Sequence, residues 1–476
     1  MTRPNILLIM SDEHNTQISG AYGHPFVKTP AMDELAEEGV VVEDFYCNSP
    51  LCVPSRMSFM TGRYASEIEA YDNRSPLSSG HPTLAHYLNI AGYETVLSGK
   101  MHFIGPDQRH GFQKRPVADI HGQGSYHPVP DWRDRENYSK SARKRITGAG
   151  KPYDREFSGN YFQGAETKRS AHHISYDKKV FANAADYLRD YAVSGRESPF
   201  FLTAGFFAPH FPLACEKKYW DLYWPGLADL PKNPEPPPHP MYKRFRHYFD
   251  LEEPFSEEEI RRCRAAYYGL VTFLDDHIGG LMDVLSETGL DENTVVIYTS
   301  DHGEMLGERG LWWKNSFLDH ATRVPLIIKW PGALPVGERR DAVASLVDLT
   351  ATILDIAEFE KPDHIAGDSM LNLLQQGADG WKDTAFIEYL AHGTDRPQCS
   401  LRRGRYKLNY VVGEDNELYD LQADPEELND LTQREGYEEV ERELRQEIEN
   451  NWQGCKLYKD VLKSQKLRRH TVAGDG

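Results

Sequence analysis

Four apolar runs of strand length in this chain are each followed closely by a small cluster of charged or histidine residues. The runs are residues 5–11, 94–98, 200–207 and 294–299, and the clusters that follow them are Asp12-Glu13, Lys100-Met101-His102, Pro209-His210 and Asp301-His302. In an open α/β sheet the carboxyl ends of parallel strands line one crevice, and ligands bind there. The sequence therefore predicts that four distant segments bring their titratable side chains to a single site.

The segments around these runs alternate between helical and strand-like patterns. Helices are predicted at residues 30–38, 83–91, 257–288 and 345–357, and further strands at 40–45 and 324–329. Such alternation is typical of a parallel sheet covered by helices. We therefore predict an α/β fold with a large mixed, mostly parallel sheet sandwiched by helices.

Two segments lack this periodicity. Residues 105–175 are rich in Gly, Pro, His, Arg and Tyr, and we expect them to form long loops over one end of the sheet. The Pro-rich stretch 231–240 is expected to be a semi-rigid surface connection.

The pattern changes in the last hundred residues to short strands separated by turns, followed by a charged helix. The strands are predicted at residues 384–389, 406–411 and 418–420, and the helix at 437–451. We therefore predict two domains, a catalytic α/β domain at residues 1–375 and a C-terminal subdomain at 376–476 with a short antiparallel sheet and a helix.

The charge balance excludes some classes of partner. With 54 basic and 73 acidic side chains, the formal net charge is −19. Such a field repels polyanions, so neither nucleic acid nor an anionic membrane surface is an expected partner. The apolar run near the N-terminus is too short for the core of a signal peptide, and the six cysteines show no CxxC spacing. A reducing cytoplasm is the expected location.

Two of the clusters carry ligands suited to a metal ion. Asp12 and Asp301, with Glu13 and His302, offer the oxygen and nitrogen donors that Ca²⁺ or Mg²⁺ accepts in proteins. An aspartate after a strand is also a common turn or cap residue, which is the structural alternative for either one alone. Together, and with Gly303 allowing close backbone approach, they favour a metal site.

Cys52 lies at the start of a predicted short helix that ends near Gly62. Pro54 fits the first turn of this helix, and a helix N-terminus stabilises anions and thiolates. Arg56 follows one turn later, where it is placed to hold an oxyanion. The structural alternative for Cys52 is a buried small hydrophobic residue.

The segment Cys52-Val53-Pro54-Ser55-Arg56 matches the C-x-P-S-R signature of type I sulfatases in the alkaline phosphatase superfamily. Further matches to that family follow in its order along nearly the whole chain: Asn5–Asp12, Thr61-Gly62-Arg63, Gly99-Lys100-Met101-His102, Pro209-His210, Ser300-Asp301-His302-Gly303, Lys314 and Asp424-Pro425. Within the family the chain is most similar to choline-sulfatases and their relatives, through Ser49-Pro50-Leu51-Cys52, Tyr71-Asp72-Asn73 and residues 303–314.

The resemblance implies an alkaline phosphatase-like fold and hydrolysis of a sulfate ester. It implies that a formylglycine-generating or anaerobic sulfatase-maturing enzyme oxidises Cys52 to formylglycine, whose hydrate attacks sulfur. It implies a divalent metal ion, Ca²⁺ with Mg²⁺ or Mn²⁺ as alternatives, and metal ligands at Asp12, Glu13, Cys52, Asp301 and His302. The catalytic residues that it implies are Cys52, Arg56, Lys100, His102, His210 and Lys314.

The implied roles divide the reaction between these side chains. Arg56 orients the diol, while Lys100, Lys314 and His210 hold the sulfuryl oxygens. His210 or Lys314 protonates the leaving oxygen, and His102 assists the release of sulfate.

Substrate contacts are predicted for Asn73 and Glu388. The alternatives are a turn residue for Asn73 and an arginine ion pair for Glu388. Glu13 departs from the family pattern, in which many members have a second Asp, and the chain ends soon after Arg468-Arg469, where choline-sulfatases continue. Four aromatic residues either line a pocket or pack in the core: Tyr126, Trp132, Trp312 and Trp313.

Two other functions use the same residues. Phosphonate monoester and phosphodiester hydrolases of the superfamily share the C-x-P-S-R nucleophile, and a non-catalytic metal-dependent binding protein would share the fold. The intact set Cys52, Arg56, Lys100, His210 and Lys314 argues against the second. The expected substrate is a small-molecule sulfate ester (alkyl, aryl or small sugar sulfate), and a homo-oligomer is an expected assembly because related enzymes often form one.

Replacement of the nucleophile tests this interpretation first. Cys52→Ala and Cys52→Ser are both expected to abolish turnover of a sulfate ester, because both remove the thiol from which the implied formylglycine is made. The measurement is steady-state hydrolysis of an aryl sulfate. Wild-type rates in either variant would refute the assignment of Cys52.

Overall fold

The computed structural model describes residues 3–124, 132 and 165–473, with the side chains of 165–171 and 471–473 excepted. The strands are β1 (Asn5–Asp12), β2 (Val40–Val42), β3 (Phe45–Tyr46), β4 (Glu94–Gly99), β5 (Lys114–Val117), β6 (Phe200–Pro209), β7 (Thr294–Ser300), β8 (Leu326–Lys329), β9 (Glu338–Arg340), β10 (Ala344–Ser345), β11 (Thr384–Tyr389), β12 (Gln398–Arg403), β13 (Tyr406–Val411) and β14 (Glu417–Asp420). The helices are α1 (Pro30–Glu37), α2 (Cys52–Thr61), α3 (Leu84–Ile90), α4 (Ala165–Val193), α5 (Lys217–Trp220), α6 (Pro240–Tyr248), α7 (Glu257–Thr288), α8 (Asp319–Thr322), α9 (Leu346–Ile356), α10 (Leu371–Gln376), α11 (Glu438–Asn451) and α12 (Gly454–Ala473).

The main sheet has eight strands in the order β5-β4-β6-β1-β7-β8-β2-β9. Its neighbouring strands run parallel except around β8, which is antiparallel to both β7 and β2. The predicted large, mostly parallel mixed sheet is therefore confirmed. A separate two-stranded parallel sheet pairs β3 with β10.

Alternate residues of the central strand β1 pack in two different hydrophobic cores, because successive side chains of a strand point to opposite faces of the sheet. Leu7 and Ile9 pack in the core that contains residues of α4 and α7. Ile6, Leu8 and Met10 pack in the core that contains residues of α2, α3 and α9. Because both faces of the sheet are covered, every residue of β1, β6 and β7 is buried.

Local sequence signals account for the ends of the longest helix. Ser256 and Glu259 form a capping box at the N-terminus of α7, and Gly289 adopts a left-handed conformation with φ of 68° at its C-terminus. The helix spans the range that its apolar periodicity predicted.

The C-terminal subdomain is an antiparallel sheet in the order β11-β12-β13-β14 with α11 and α12 packed beside it around a third core. The predicted α+β subdomain is confirmed. The strand β12 and the helix α12 were not predicted. The boundary between residues 375 and 376 stays a prediction.

The prediction that residues 105–175 form long loops is wrong in two places. Residues 114–117 form the edge strand β5, and α4 begins at Ala165. The pattern failed at β5 because it is short and mostly exposed, so its sequence carries no apolar alternation. Residues 125–131 and 133–164, with Tyr126, lie outside the described part of the chain.

The single strand predicted at residues 40–45 is also wrong. Glu43 and Asp44 interrupt it, so that β2 joins the main sheet and β3 joins the small one. The tryptophans Trp132, Trp312 and Trp313 are buried in the hydrophobic cores, as the packing alternative expected. None of the helices in the described part of the chain is long and apolar enough to cross a membrane.

Candidate active site

The carboxyl ends of four adjacent strands meet at one edge of the main sheet. β4, β6, β1 and β7 are neighbours and parallel, and each delivers a polar residue there. Asp12 is the last residue of β1, while Lys100, His210 and Asp301 directly follow β4, β6 and β7. The structure thus brings together the four clusters that the sequence placed at strand ends.

Arg56 connects the helix α2 to these strand ends through ion pairs and hydrogen bonds. Its Nη2 lies 3.0 Å from Asp12 Oδ2 and its Nε 2.7 Å from Asp301 Oδ2. The guanidinium also donates to the backbone oxygens of Ser11 and Lys100, each at 3.1 Å. Arg56 is fully buried, so these four hydrogen bonds from its guanidinium take the place of bonds to water.

Lys100 adds a second buried cation. Its Nζ lies 2.5 Å from Asp12 Oδ2. Burial opposes the charge of this ammonium, but Asp12 raises the Lys100 pKa overall. Burial raises the pKa of Asp12, but the charges of Lys100 and Arg56 hold it well below its ordinary value. Both groups are therefore ionised at neutral pH.

Cys52 is the first residue of α2 and faces this charged cluster. Its Sγ lies 3.2 Å from His302 Nε2 and 3.8 Å from Asp12 Oδ1. Burial, and then the charge of Asp12, raises the pKa of the thiol to about 12. In this environment the unmodified side chain is a neutral thiol, which is a poor nucleophile.

A second cluster adjoins the first on the side of β6. Lys314 Nζ lies 3.0 Å from Glu13 Oε2 and 3.0 Å from His210 Nε2. Burial, and then the charge of Lys314, lowers the His210 pKa well below its ordinary value. The neutral ring donates from Nδ1 to the Phe211 oxygen, so its Nε2 accepts from the lysine. Within the Lys314–His210 pair the proton therefore resides on the lysine.

His102 lies at the end of β4 in a left-handed conformation with φ of 62°. Its ring stacks on His121 with 4.4 Å between centroids. Burial, and then His121, lowers the His102 pKa well below its ordinary value. Its Nδ1 has no hydrogen-bond partner within the described residues. His102 is thus a neutral imidazole with an unused nitrogen.

Three buried carboxylates that sequence reasoning missed hold the loops of this site. Asp119 accepts from the backbone N–H groups of Met101 and His102, and Asp177 accepts from those of Phe207 and Ala208. Glu304 accepts from Leu306 and Trp313, the residues that flank the loop before Lys314. No local signal marks these residues, because Asp119 and Asp177 act on backbone at least 17 residues away and Glu304 joins two points of its own loop.

The donor set fits a divalent cation. Ligand atoms of Asp12, Cys52, Asp301 and His302 lie within 4.8 Å of one another, as do those of Asp12, Glu13 and His210. His302 Nδ1 lies 3.0 Å from the Gly303 oxygen, so the Nε2 of a neutral ring keeps its lone pair for a ligand. Glu13 Oε1 is buried without a hydrogen-bond partner in the described residues, which suits an oxygen that a cation would take up.

Asn73 and Glu388 occupy different surroundings. Asn73 Oδ1 accepts from Val53 N–H at 2.9 Å, in the first turn of α2. Glu388 is fully buried, and its carboxylate accepts from Ser66 N–H at 2.6 Å and from the Trp452 indole at 3.0 Å. A substrate contact stays a prediction for both residues.

Comparison with known proteins agrees with this site. The sulfatase family model matches residues 4–359, and the model described as N-sulphoglucosamine sulphohydrolase, C-terminal, matches residues 307–453. The choline-sulfatase of Rhizobium meliloti is 33% identical over 449 residues, which cover 90% of this chain and 83% of that protein. The N-acetylglucosamine-6-O-sulfatase of Bacteroides thetaiotaomicron is 28% identical over 501 residues, covering 96% and 87%.

The solved phosphonate monoester hydrolase of Agrobacterium radiobacter has a similar fold, with a TM-score of 0.73 at 23% identity and 96% of each chain covered. The family match and the choline-sulfatase similarity together decide the class. The chain belongs to the sulfatase family and is a sulfuric ester hydrolase of the alkaline phosphatase superfamily.

A substitution of Asp119 tests whether its carboxylate holds His102 in place. Asp119→Ala removes the acceptor of two backbone N–H groups, so His102 is expected to leave its left-handed conformation and kcat to fall by roughly ten- to a hundredfold. The measurement is kcat for a sulfate ester in Asp119→Ala, His102→Ala and the double variant. If the two losses simply multiply in the double variant, Asp119 does not act through His102.

Proposed function

We propose that this sulfatase hydrolyses an alkyl, aryl or small sugar sulfate monoester with a formylglycine formed from Cys52 and a divalent metal ion, Ca²⁺ in the first place. The observation that carries the proposal is the convergence of Cys52 Sγ, two carboxylates and an imidazole within 4.8 Å. Arg56 and Lys100, both fully buried, supply positive charge on the same spot.

The high thiol pKa of Cys52 supports a modified nucleophile. A buried neutral thiol lacks both the charge to attack sulfur and a second hydroxyl to expel sulfate. Conversion of CH₂–SH to CHO removes the sulfur as sulfide, adds one oxygen atom and passes two electrons to the oxidant of a maturing enzyme. Hydrated formylglycine then supplies two hydroxyls on one carbon, one for attack on sulfur and one for release of sulfate.

The metal ion, when bound, would polarise the sulfuryl oxygens and favour the ionised form of an adjacent hydroxyl. Asp12, Asp301 and His302 would hold it, with Glu13 as a further ligand. Asp301 is also held by Arg56 at 2.7 Å, so the proposed proton acceptor for the attacking hydroxyl is fixed in orientation.

The remaining side chains would bind the sulfuryl oxygens and transfer protons. Lys100 and Lys314 bring ammonium groups to the two sides of Asp12 and Glu13, where they would bind the sulfuryl oxygens as charge is redistributed. Lys314 holds the proton for the leaving oxygen, and neutral His210 accepts a hydrogen bond from it. His102, whose Nδ1 has no hydrogen-bond partner among the residues that the structure describes, would take up the proton whose loss releases sulfate.

Mass spectrometry of the peptide that contains position 52 tests the nucleophile. Formylglycine weighs about 18 Da less than cysteine because the thiol is replaced by an aldehyde oxygen. We expect the lighter peptide in protein made with a maturing enzyme, and turnover in proportion to its fraction. Activity in protein that contains only cysteine at this position would contradict the proposal.

Comparison of two substrates tests the reaction class. Hydrolysis of an aryl sulfate is expected to exceed that of an aryl phosphodiester with the same leaving group, in the same preparation and with formylglycine quantified. The reverse preference would assign the site to phosphonate monoester or phosphodiester hydrolysis, the alternative that shares the nucleophile.

Removal of the metal ion tests the ligand set. A chelator is expected to abolish hydrolysis and to lower Tm, because an ion that binds only the folded state stabilises it. Ca²⁺ is expected to restore both better than Mg²⁺ or Mn²⁺. Asp301→Asn should remove the Ca²⁺-dependent rise in Tm, and full activity in the chelated enzyme would refute a metal role.

A further inference from the structure

The C-terminal helix α12 buries two polar residues at its far end. Leu457, Val461, Gln465 and Arg468 recur every three or four residues and are buried, whereas Lys466 between them is exposed. Leu457 and Val461 pack in the core of the C-terminal subdomain. Gln465 and Arg468 lie one and two turns further on, where an apolar contact would be expected for a helix that only completes that core.

Arg468 forms a two-point ion pair with Asp72 of the catalytic domain. Its Nη1 lies 2.9 Å from Asp72 Oδ1 and its Nη2 2.5 Å from Asp72 Oδ2. Asp72 is fully buried and Arg468 nearly so. A buried parallel pair of this kind fixes the orientation of both groups as well as their distance. The contact therefore positions the loop that carries Asp72 relative to α12.

Asp72 also forms hydrogen bonds within its own loop. Its Oδ1 also accepts from Arg74 N–H at 2.8 Å, and its backbone oxygen accepts from Ser75 N–H at 3.0 Å. Between them lies Asn73, whose Oδ1 accepts from Val53 N–H at 2.9 Å.

That last hydrogen bond reaches the helix of the nucleophile. Val53 follows Cys52 in the first turn of α2, and the N-cap residue Leu51 makes no side-chain cap. An N–H group in the first turn of a helix has no partner within the helix, so a side chain from elsewhere must supply one. Asn73 supplies this partner to Val53, and it lies in the loop whose Asp72 is paired with Arg468.

We propose that Arg468 is a positioning residue for catalysis, which acts through Asp72 and Asn73 on the start of the helix that carries position 52. The inference rests on the proposed function of Cys52 as the nucleophile. It assigns to the C-terminal helix a role in the reaction besides its packing in the subdomain.

The test compares Arg468→Met, which removes the charge at similar length, with Arg468→Lys, which keeps the charge but not the parallel pair. Lys466→Met, on the exposed face of the same helix, is the matched control. Each variant is assayed for kcat, KM and Tm with the formylglycine fraction quantified. We expect kcat to fall by roughly ten- to a hundredfold in Arg468→Met and by less in Arg468→Lys, because the reacting atom is displaced from its position.

A double-mutant cycle separates positioning from general stabilisation. Asn73→Ala is expected to lower kcat to a similar extent, and Arg468→Met is expected to add little in the Asn73→Ala background. Wild-type kcat in folded, modified Arg468→Met, or losses that multiply in the double variant, would overturn the proposal.

Hydrogen exchange tests the coupling without any assay of turnover. In Arg468→Met the amides of Val53 and Ser55 are expected to exchange about tenfold faster than in the wild type, whereas Lys466→Met leaves them unchanged. Unchanged exchange in Arg468→Met would refute the coupling even if the reaction class had been assigned wrongly. Faster exchange in an enzyme without sulfate ester turnover would instead leave the coupling intact and refute the proposed function.

Discussion

The buried guanidinium of Arg56 is the contact on which the rest of the site depends. A charge with no exposure to water is costly unless it is paired and fully hydrogen-bonded. Here Asp12 and Asp301 neutralise it, and the Ser11 and Lys100 oxygens accept two further hydrogen bonds from it. The ends of β1, β4 and β7 are thereby joined to α2, whose first residue is Cys52. This network fixes the position of Cys52 relative to Asp12 and Asp301.

Carboxylates outside the reaction hold strained backbone in the same region. Glu13, His102 and Trp313 all have positive φ, a conformation that non-glycine residues rarely adopt. Asp119 accepts from the N–H of His102, Glu304 accepts from that of Trp313, and Tyr267 donates to the oxygen of Glu13. A strained conformation of this kind persists where several surrounding contacts hold it in place, which is typical of catalytic loops. The preorganised positions of His102 and Lys314 follow from these supports.

The C-terminal subdomain takes part in the site through the loops that it holds. Lys407 is fully buried and lies 2.6 Å from Asp319 Oδ1 and 2.5 Å from Glu427 Oε1, next to the segment that carries Lys314. Arg468 reaches the other side of the site through Asp72. Both contacts join residues far apart in sequence. The two domains are thus connected by buried charges at the loops that carry functional side chains.

Much of this arrangement was determined by the sequence alone. Apolar runs followed by polar residues locate β1, β4, β6 and β7, and the rule that ligands bind at the carboxyl ends of parallel strands predicts that Asp12, Lys100, His210 and Asp301 lie together. Only the tertiary structure decided which nitrogen of His210 accepts from Lys314, why the Cys52 thiol stays protonated, and that Asp119, Asp177, Glu304 and Arg468 support the site. Those properties depend on burial and on contacts between residues that are up to 396 positions apart in the sequence. A local pattern records the period of a strand or helix, and it holds no information about which distant charge lies beside it.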